Sequence, residues 1–284
     1  TTDGSKIMKC KLLIGVFDLP ARAMATNMVQ FNGYYGCLFC LDQGIHRYNR
    51  HLYLPTELHI ERTMSIMQKL AQEAVTKGIV VKGVKGESVL SAYIDIVVRI
   101  LIDYMHCVLL GVVKQLLEMW LDSANHSKKY YIAPSQANAI NQFLSNIKPP
   151  DNFRIKPRSL NDRAHWKASE YRAWLLYYSL PVLIKTLPGN YVHHYALLVC
   201  SMHVLLNDVI TVEGLRFSQR ALNAFYKLLP TLYGEISCSA NMHALIHLPK
   251  CVARFGPLWA FSMFGQESFH SELKRRIHGT RNVL

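Results

Sequence analysis

Apolar residues along this chain first run together and later recur every three or four positions. Residues 11–17, KLLIGVF, form a short continuous apolar run, the mark of a buried strand, and the run stops at Asp18. Pro20 suits the first turn of a short helix, and a Gly-rich loop, NGYYGCLFC, leads on to Cys40. From about residue 56 the spacing predicts helices. TELHIERTMSIMQKLAQEAVTKG opens on a Thr cap and ends on Gly, DYMHCVLLGVVKQLLEMWL follows at 103–121, and PSQANAINQFLSNI has apolar residues at helical spacing. A polar, basic loop, KPPDNFRIKPRSLNDRAHW, separates these from four more predicted helices at 168–186, 191–208, 214–232 and 239–254. SMFGQESFHSELKRRIHG reads as an amphipathic helix with a basic end and a Gly stop. One strand followed by some 200 residues of helix predicts a mainly α chain without internal repeats. An isolated strand is not a domain, so KLLIGVF is expected to pair with strands from a missing N-terminal part of a longer polypeptide. The ends, TTDGSK and GTRNVL, read as cut from such a parent.

Half of the 284 residues are hydrophobic and 18% are charged, which provides a core and excludes wholesale disorder. The most apolar stretch, YIDIVVRILIDYMHCVLLGVVKQLLEMWL, is interrupted by Asp95, Arg99, Asp103, His106 and Lys114. No uninterrupted run reaches the ~18 residues a membrane span needs, so a soluble protein with no membrane partner is expected. Lysine and arginine outnumber acids 32 to 19, a net +13, and such an excess points to a polyanion, nucleic acid first. The seven cysteines are mostly scattered and no signal peptide precedes them, which suggests a reduced compartment with one metal-binding pair.

That pair is Cys37 and Cys40. Two thiolates at Cys-x-x-Cys spacing grip one edge of a tetrahedral zinc, and a structural site needs two further ligands. HALIH offers His243 and His247, four apart on a predicted helix and so on one face, although such pairs also arise by chance among 13 histidines. Asp18, at a strand end, either caps the next helix or faces an active-site metal. Glu267 shares a helix face with Ser271 and Lys274, which reads as a solvated face or as an acid and a cation serving a metal and a phosphate. Asp103 and His106 lie one turn apart and read as a polar pair bonded inside a helical bundle, ahead of a metal role. His193, His194, Cys200, Cys238 and Cys251 read as core or surface residues. Phosphate loops, G-x-S-x-G, H-E-x-x-H and dinucleotide fingerprints are absent from the sequence.

Taken together, the motifs carry a resemblance. KLLIGVFDLPARAMATNMVQFNGYYGCLFC resembles the strand, Asp-x-Pro-Ala and Cys-x-x-Cys segment of the transposases of CACTA (En/Spm) DNA transposons. DYMHCVLLGVVKQLL resembles their Asp-x-Met-His helix. NMHALIHLPKCVARFGPLWAFSMFGQESFHSELK resembles their C-terminal segment, in which a His pair and Leu-Pro precede an aromatic-rich stretch and a Glu. The resemblance spans nearly the whole chain in order and is weakest over 125–235. The V(D)J recombinase of the immune system looks like a distant relative with the same plan.

The resemblance implies part of an RNase H-like DDE core interrupted by a large all-α, zinc-tied insertion. Its core strand would fall in 1–36, the insertion in 37–254 and the catalytic helix in 255–284. It implies that Asp18 is the second catalytic Asp and Glu267 the catalytic Glu, both binding Mg or Mn, with Cys37, Cys40, His243 and His247 on a structural zinc. Glu267 is favoured over Glu272 because it follows His247 by 20 residues and Pro257 by ten. The implied activity of the intact protein is Mg-dependent strand cleavage and transfer at transposon ends, in the nucleus, by a homo-oligomer assembled on double-stranded DNA. Lys274, Arg275, Arg276 and the loop from Lys148 to Arg163 would touch phosphates. The first catalytic Asp belongs on an earlier strand, and Asp3 lies only 15 residues before Asp18. That Asp is therefore expected outside this chain, and the chain alone is expected to be inactive. The alternative is a domesticated or degenerate relative that keeps the zinc-tied fold and binds DNA or protein without cleaving. A helical scaffold unrelated to nucleic acid leaves the Asp, Cys, His, Glu order unexplained.

Overall fold

The computed structural model describes residues 11–57, 59–149 and 156–276. Asp3 lies outside the described residues. The chain is mainly helical, as its pattern predicts. The apolar run at the start yields β1 (Gly15–Phe17), and Asp18 then caps α1 (Leu19–Ala25), its Oδ1 accepting from the Ala21 N–H at 2.8 Å. A hairpin follows, β2 (Ile45–Arg47) and β3 (Arg50–Leu52). Tyr48 and Asn49 both take positive φ between them, as a two-residue primed turn requires. Helix α2 (Met64–Lys77) ends on left-handed Gly78, as predicted, but its cap is Thr63 and the residues before it are not helical. Next come the single turn α3 (Ile96–Arg99) and β4 (Ile100–Ile102).

Strand β4 corrects one expectation. β1 pairs within this chain, parallel to β4, with Gly15 opposite Ile100, Val16 opposite Leu101 and Phe17 opposite Ile102. The β4 segment was invisible to periodicity because it sits inside a longer apolar run, IVVRILI, in which helix and strand look alike. Its consequence for the site is direct. Asp18 follows β1 and Asp103 follows β4, so two carboxylates leave adjacent strand ends side by side.

Beyond Asp103 the chain winds as a π-helix over Met105–Val113 and continues as α4 (Lys114–Leu121). This helix is apolar on nearly every face and is therefore wrapped on all sides. Val108, Leu109, Val112, Val113, Leu116, Leu117 and Trp120 are all buried. Helices α5 (Pro134–Asn146), α6 (Ala168–Ala173), α7 (Ser179–Leu183), α8 (Gly189–Leu205) and α9 (Val212–Tyr233) build the main core around it. Trp120 meets Tyr195 of α8 edge-on at 5.1 Å and donates its indole N–H to the Tyr233 hydroxyl of α9 at 3.4 Å. The final elements are α10 (Ala240–Ala244), α11 (Leu248–Phe255) and α12 (Phe264–Arg276). A smaller core, including Met28, Leu38, Met67, Leu70, Ile96 and Ile100, seats α2 against β4. Among the described residues no helix is long and apolar enough to cross a membrane.

Candidate metal centre and carboxylate cluster

The two halves of the sequence-predicted metal site converge. Cys40 Sγ lies 3.2 Å from His243 Nε2, Cys37 Sγ lies 3.5 Å from His247 Nε2, and the two Nε2 atoms are 3.4 Å apart. All four ligand atoms fall within 4.8 Å of one another, and all four residues are buried. Zinc–sulfur bonds of ~2.3 Å and zinc–nitrogen bonds of ~2.0–2.1 Å at tetrahedral angles place S and N roughly 3.6 Å apart and N and N roughly 3.3 Å apart. The observed spacings match a structural zinc held by Cys37, Cys40, His243 and His247.

Local chemistry shapes each half. Gly36 precedes the cysteine knuckle where a Cβ would stand 2.5 Å from the Gln30 carbonyl, so only glycine lets the chain turn there. On the histidine side, α10 gives way to a tight 3-10 turn over Leu245–His247 before α11 begins. Pro249 has no N–H to continue an α-helical ladder back to Leu245, which favours that tightening.

The imidazoles are oriented from behind. The His243 Nδ1–H is 3.0 Å from the Tyr226 hydroxyl, which itself donates to the Tyr53 carbonyl at 2.7 Å. The Tyr53 ring stacks on His243 at 4.8 Å, and Phe39 lies against His247 at 5.2 Å. Such outer partners fix the tautomer that leaves Nε2 available to a metal. Burial works to raise the Cys37 thiol, but the Cys40 sulfur and the two imidazoles outweigh it and hold Cys37 well below its usual range. Its bond to Cys37, then burial, drives the Cys40 thiol up. Metal binding requires both thiols deprotonated and would release protons.

The second site gathers at the ends of β1 and β4. Asp103 Oδ1 accepts from the Met105 and Met263 N–H groups at 3.2 and 2.8 Å. Its Oδ2 accepts from the His106 N–H at 2.9 Å and from His106 Nδ1 at 2.6 Å. With four donors on its two oxygens, Asp103 is a brace. It fixes the His106 ring and ties β4 to the chain entering α12. The bonded polar pair expected from the sequence is present, but its surroundings were not foreseen. The Asp103 hydrogen bond raises the His106 pKa against burial, and the negative charges of Asp103, Asp18 and Glu267 raise it further. Asp18 and Glu267, 249 positions apart in sequence, therefore both act on one imidazole. Glu272 is instead paired with Arg276 on the exposed face of α12. A signal for Asp103 was present in the sequence: VFD and LID both end an apolar run on an aspartate.

The expected phosphate contacts are placed unevenly. Lys274 and Arg275 are exposed on the last turn of α12, whereas Arg276 is engaged by Glu272. In the basic loop, residues 150–155 lie outside the described residues, and Arg158 is spent on Asp162 and Glu170. The two sites are joined through α1. Arg22, on the helix that Asp18 caps, is buried with its guanidinium 5.4 Å from the centre of the Phe39 ring, inside the cysteine knuckle. No known family model matches the chain, and no curated protein is detectably similar to it in sequence.

Proposed function

We propose that this chain belongs to the catalytic domain of a CACTA-type DNA transposase, an RNase H-like core carrying a zinc-tied helical insertion. The observation that supports the reading most is the convergence of Cys37, Cys40, His243 and His247, in a chain where Asp18 and Asp103 follow adjacent parallel strands and the charges of Asp18 and Glu267 both raise the His106 pKa. In this reading Asp18 and Glu267 are the second and third acidic residues of the catalytic set, and a further Asp comes from upstream of Asp18. A divalent cation such as Mg²⁺ bound there would acidify the attacking water or hydroxyl and steady the leaving oxygen.

The chain's own residues would do the positioning. Asp18 spends Oδ1 on capping α1, and its second oxygen would ligate the metal. Glu267 stands exposed near the start of α12. Asp103 is saturated and holds the His106 Nδ1–H, so Nε2 would donate to a phosphate oxygen in the imidazolium form, which the neighbouring carboxylates favour. The Cys2His2 centre joins loops that begin about 20 residues after Asp18 and end about 20 before Glu267, and so fixes both carboxylates across the intervening helices. Lys274 and Arg275 extend the same helix toward a phosphate backbone.

Duplex DNA binding across a salt series tests the reading. Affinity should fall steeply with salt by counterion release. Reversing Lys274, Arg275 and Arg276 to Glu should weaken binding to all sequences alike and flatten the salt slope. In a chain carrying the upstream Asp, Glu267→Gln should abolish Mg-dependent cleavage and leave DNA binding intact. No DNA binding at low salt would overturn the reading. Salt-dependent binding without any cleavage in that longer chain would select a domesticated, DNA-binding relative instead.

A further inference from the structure

Behind the cysteine knuckle lies a buried cation that no carboxylate among the described residues neutralises. Arg62 is 3% exposed, and its guanidinium is surrounded by backbone carbonyls. Nε donates to the carbonyls of both cysteine ligands, Cys37 at 2.9 Å and Cys40 at 3.0 Å. Nη2 donates to the carbonyls of Tyr35 at 2.9 Å and Lys82 at 2.8 Å, and Nη1 faces the Met67 sulfur at 3.7 Å. The Arg62 backbone N–H donates to the Phe39 carbonyl at 2.9 Å, so a single residue bonds three of the four knuckle residues.

Two features set this socket apart from ordinary burial. Tyr35 and Lys82 both adopt left-handed backbone, φ 59° and 42°, which is costly for side chains of that size. Both strained residues aim their carbonyls at the same Nη2. Taking a guanidinium out of water is also costly, and carbonyl dipoles alone repay it only when they are held in place. Such an arrangement persists when the surrounding structure needs the geometry it imposes.

We infer that Arg62 is a positioning residue of the metal centre, whose planar fork pre-forms the Cys37–Cys40 chelating turn before a metal arrives. The inference rests on reading Cys37, Cys40, His243 and His247 as a metal site. Without Arg62 the metal itself must order the turn, and affinity falls by the cost of that ordering. Lysine cannot substitute, since one ammonium does not span carbonyls on both sides of the turn.

The test uses the whole chain with Zn²⁺ and Co²⁺ as probes. Zinc affinity is measured by competition with a chromophoric chelator for wild type, Arg62→Lys and Arg62→Gln. The Co²⁺ ligand-field spectrum reports the geometry of the turn, which a general loss of stability would not move. Both variants should bind zinc about 10–100-fold more weakly, the range typical for outer-shell partners, with a weakened tetrahedral Co²⁺ band and an unchanged far-UV spectrum. Wild-type affinity and spectrum in either variant would overturn the inference. Should both variants fail to fold, Gly83→Ala decides the matter. A Cβ there would collide with the Tyr35 carbonyl oxygen, displacing an acceptor of Arg62 without touching Arg62 or a ligand. Several-fold weaker zinc binding in Gly83→Ala supports the role, and unchanged binding refutes it. A wild-type chain that takes up no zinc removes the metal reading along with this one, whereas stoichiometric uptake with indifferent variants removes only the role of Arg62.

Discussion

Replacing Cys37 by Ser removes one corner of the candidate metal centre while leaving the two larger apolar cores untouched. The size of the effect follows from chain connectivity. The Cys40–His243 contact spans 203 positions and the Cys37–His247 contact spans 210, so the bridge closes one very long loop. Treated as a cross-link, it removes loop-closure entropy worth about 5 kcal/mol from the unfolded chain at 25 °C. For a chain of this size that corresponds to roughly 10–20 °C in melting temperature. Urea unfolding followed by far-UV circular dichroism, with cysteines kept reduced, reads the change directly. Wild type in excess EDTA should fall onto the curve of Cys37→Ser, and the variant should ignore EDTA. A wild type that unfolds at the same urea concentration with and without chelator, or a Cys37→Ser variant that keeps the wild-type midpoint in zinc-containing buffer, would refute the cross-link.

Two further outcomes are expected. His194 is buried in α8, stacked on Phe225 at 4.1 Å, with Nε2–H bonded to the Phe225 carbonyl at 2.8 Å and Nδ1 without a partner among the described residues, and burial pulls its pKa down to about 4. Because the unfolded chain protonates first, this stabilisation is complete above pH ~6.5 and is lost as pH falls toward 4. It amounts to about 3 kcal/mol in all, and His194→Phe should flatten that segment of a stability–pH profile. Asp103→Asn should lower the pKa of His106 toward the ordinary histidine value, since the hydrogen bond from Asp103 does most to raise it. An NMR titration of the His106 ring checks this, and amide exchange at Met263 should quicken as its acceptor weakens; an unmoved titration midpoint would show that Asp103 does not control this ring.

Much of this protein was legible locally. Helix ends written in neighbouring residues, such as Gly78 closing α2 or Pro134 opening α5, are visible to a short window because capping is a short-range interaction. The Cys-x-x-Cys and His-x-x-x-His spacings were equally plain. Each fixes half of a chelate by local geometry, and together they allowed the site without requiring it. Where local signals competed, the pattern misled. Thr56 and Thr63 are both suitable caps, and only the packing of Met67, Leu70 and Ala71 into the smaller core decides for Thr63.

What tertiary structure alone decided lies between distant segments. The parallel pairing of β1 with β4 joins residues 85 positions apart, and it turns Asp103 and His106 from a local helical pair into neighbours of Asp18. The socket of Arg62 draws on Tyr35, Cys37, Cys40 and Lys82, and nothing in the sequence around Arg62 announces it. The meeting of Cys37 and Cys40 with His243 and His247 needs the intervening helices to return the chain to its start. Hydrophobic periodicity sets which face of each element is buried, but not against which other element. That choice belongs to the summed packing of the whole core, a quantity no window of sequence contains.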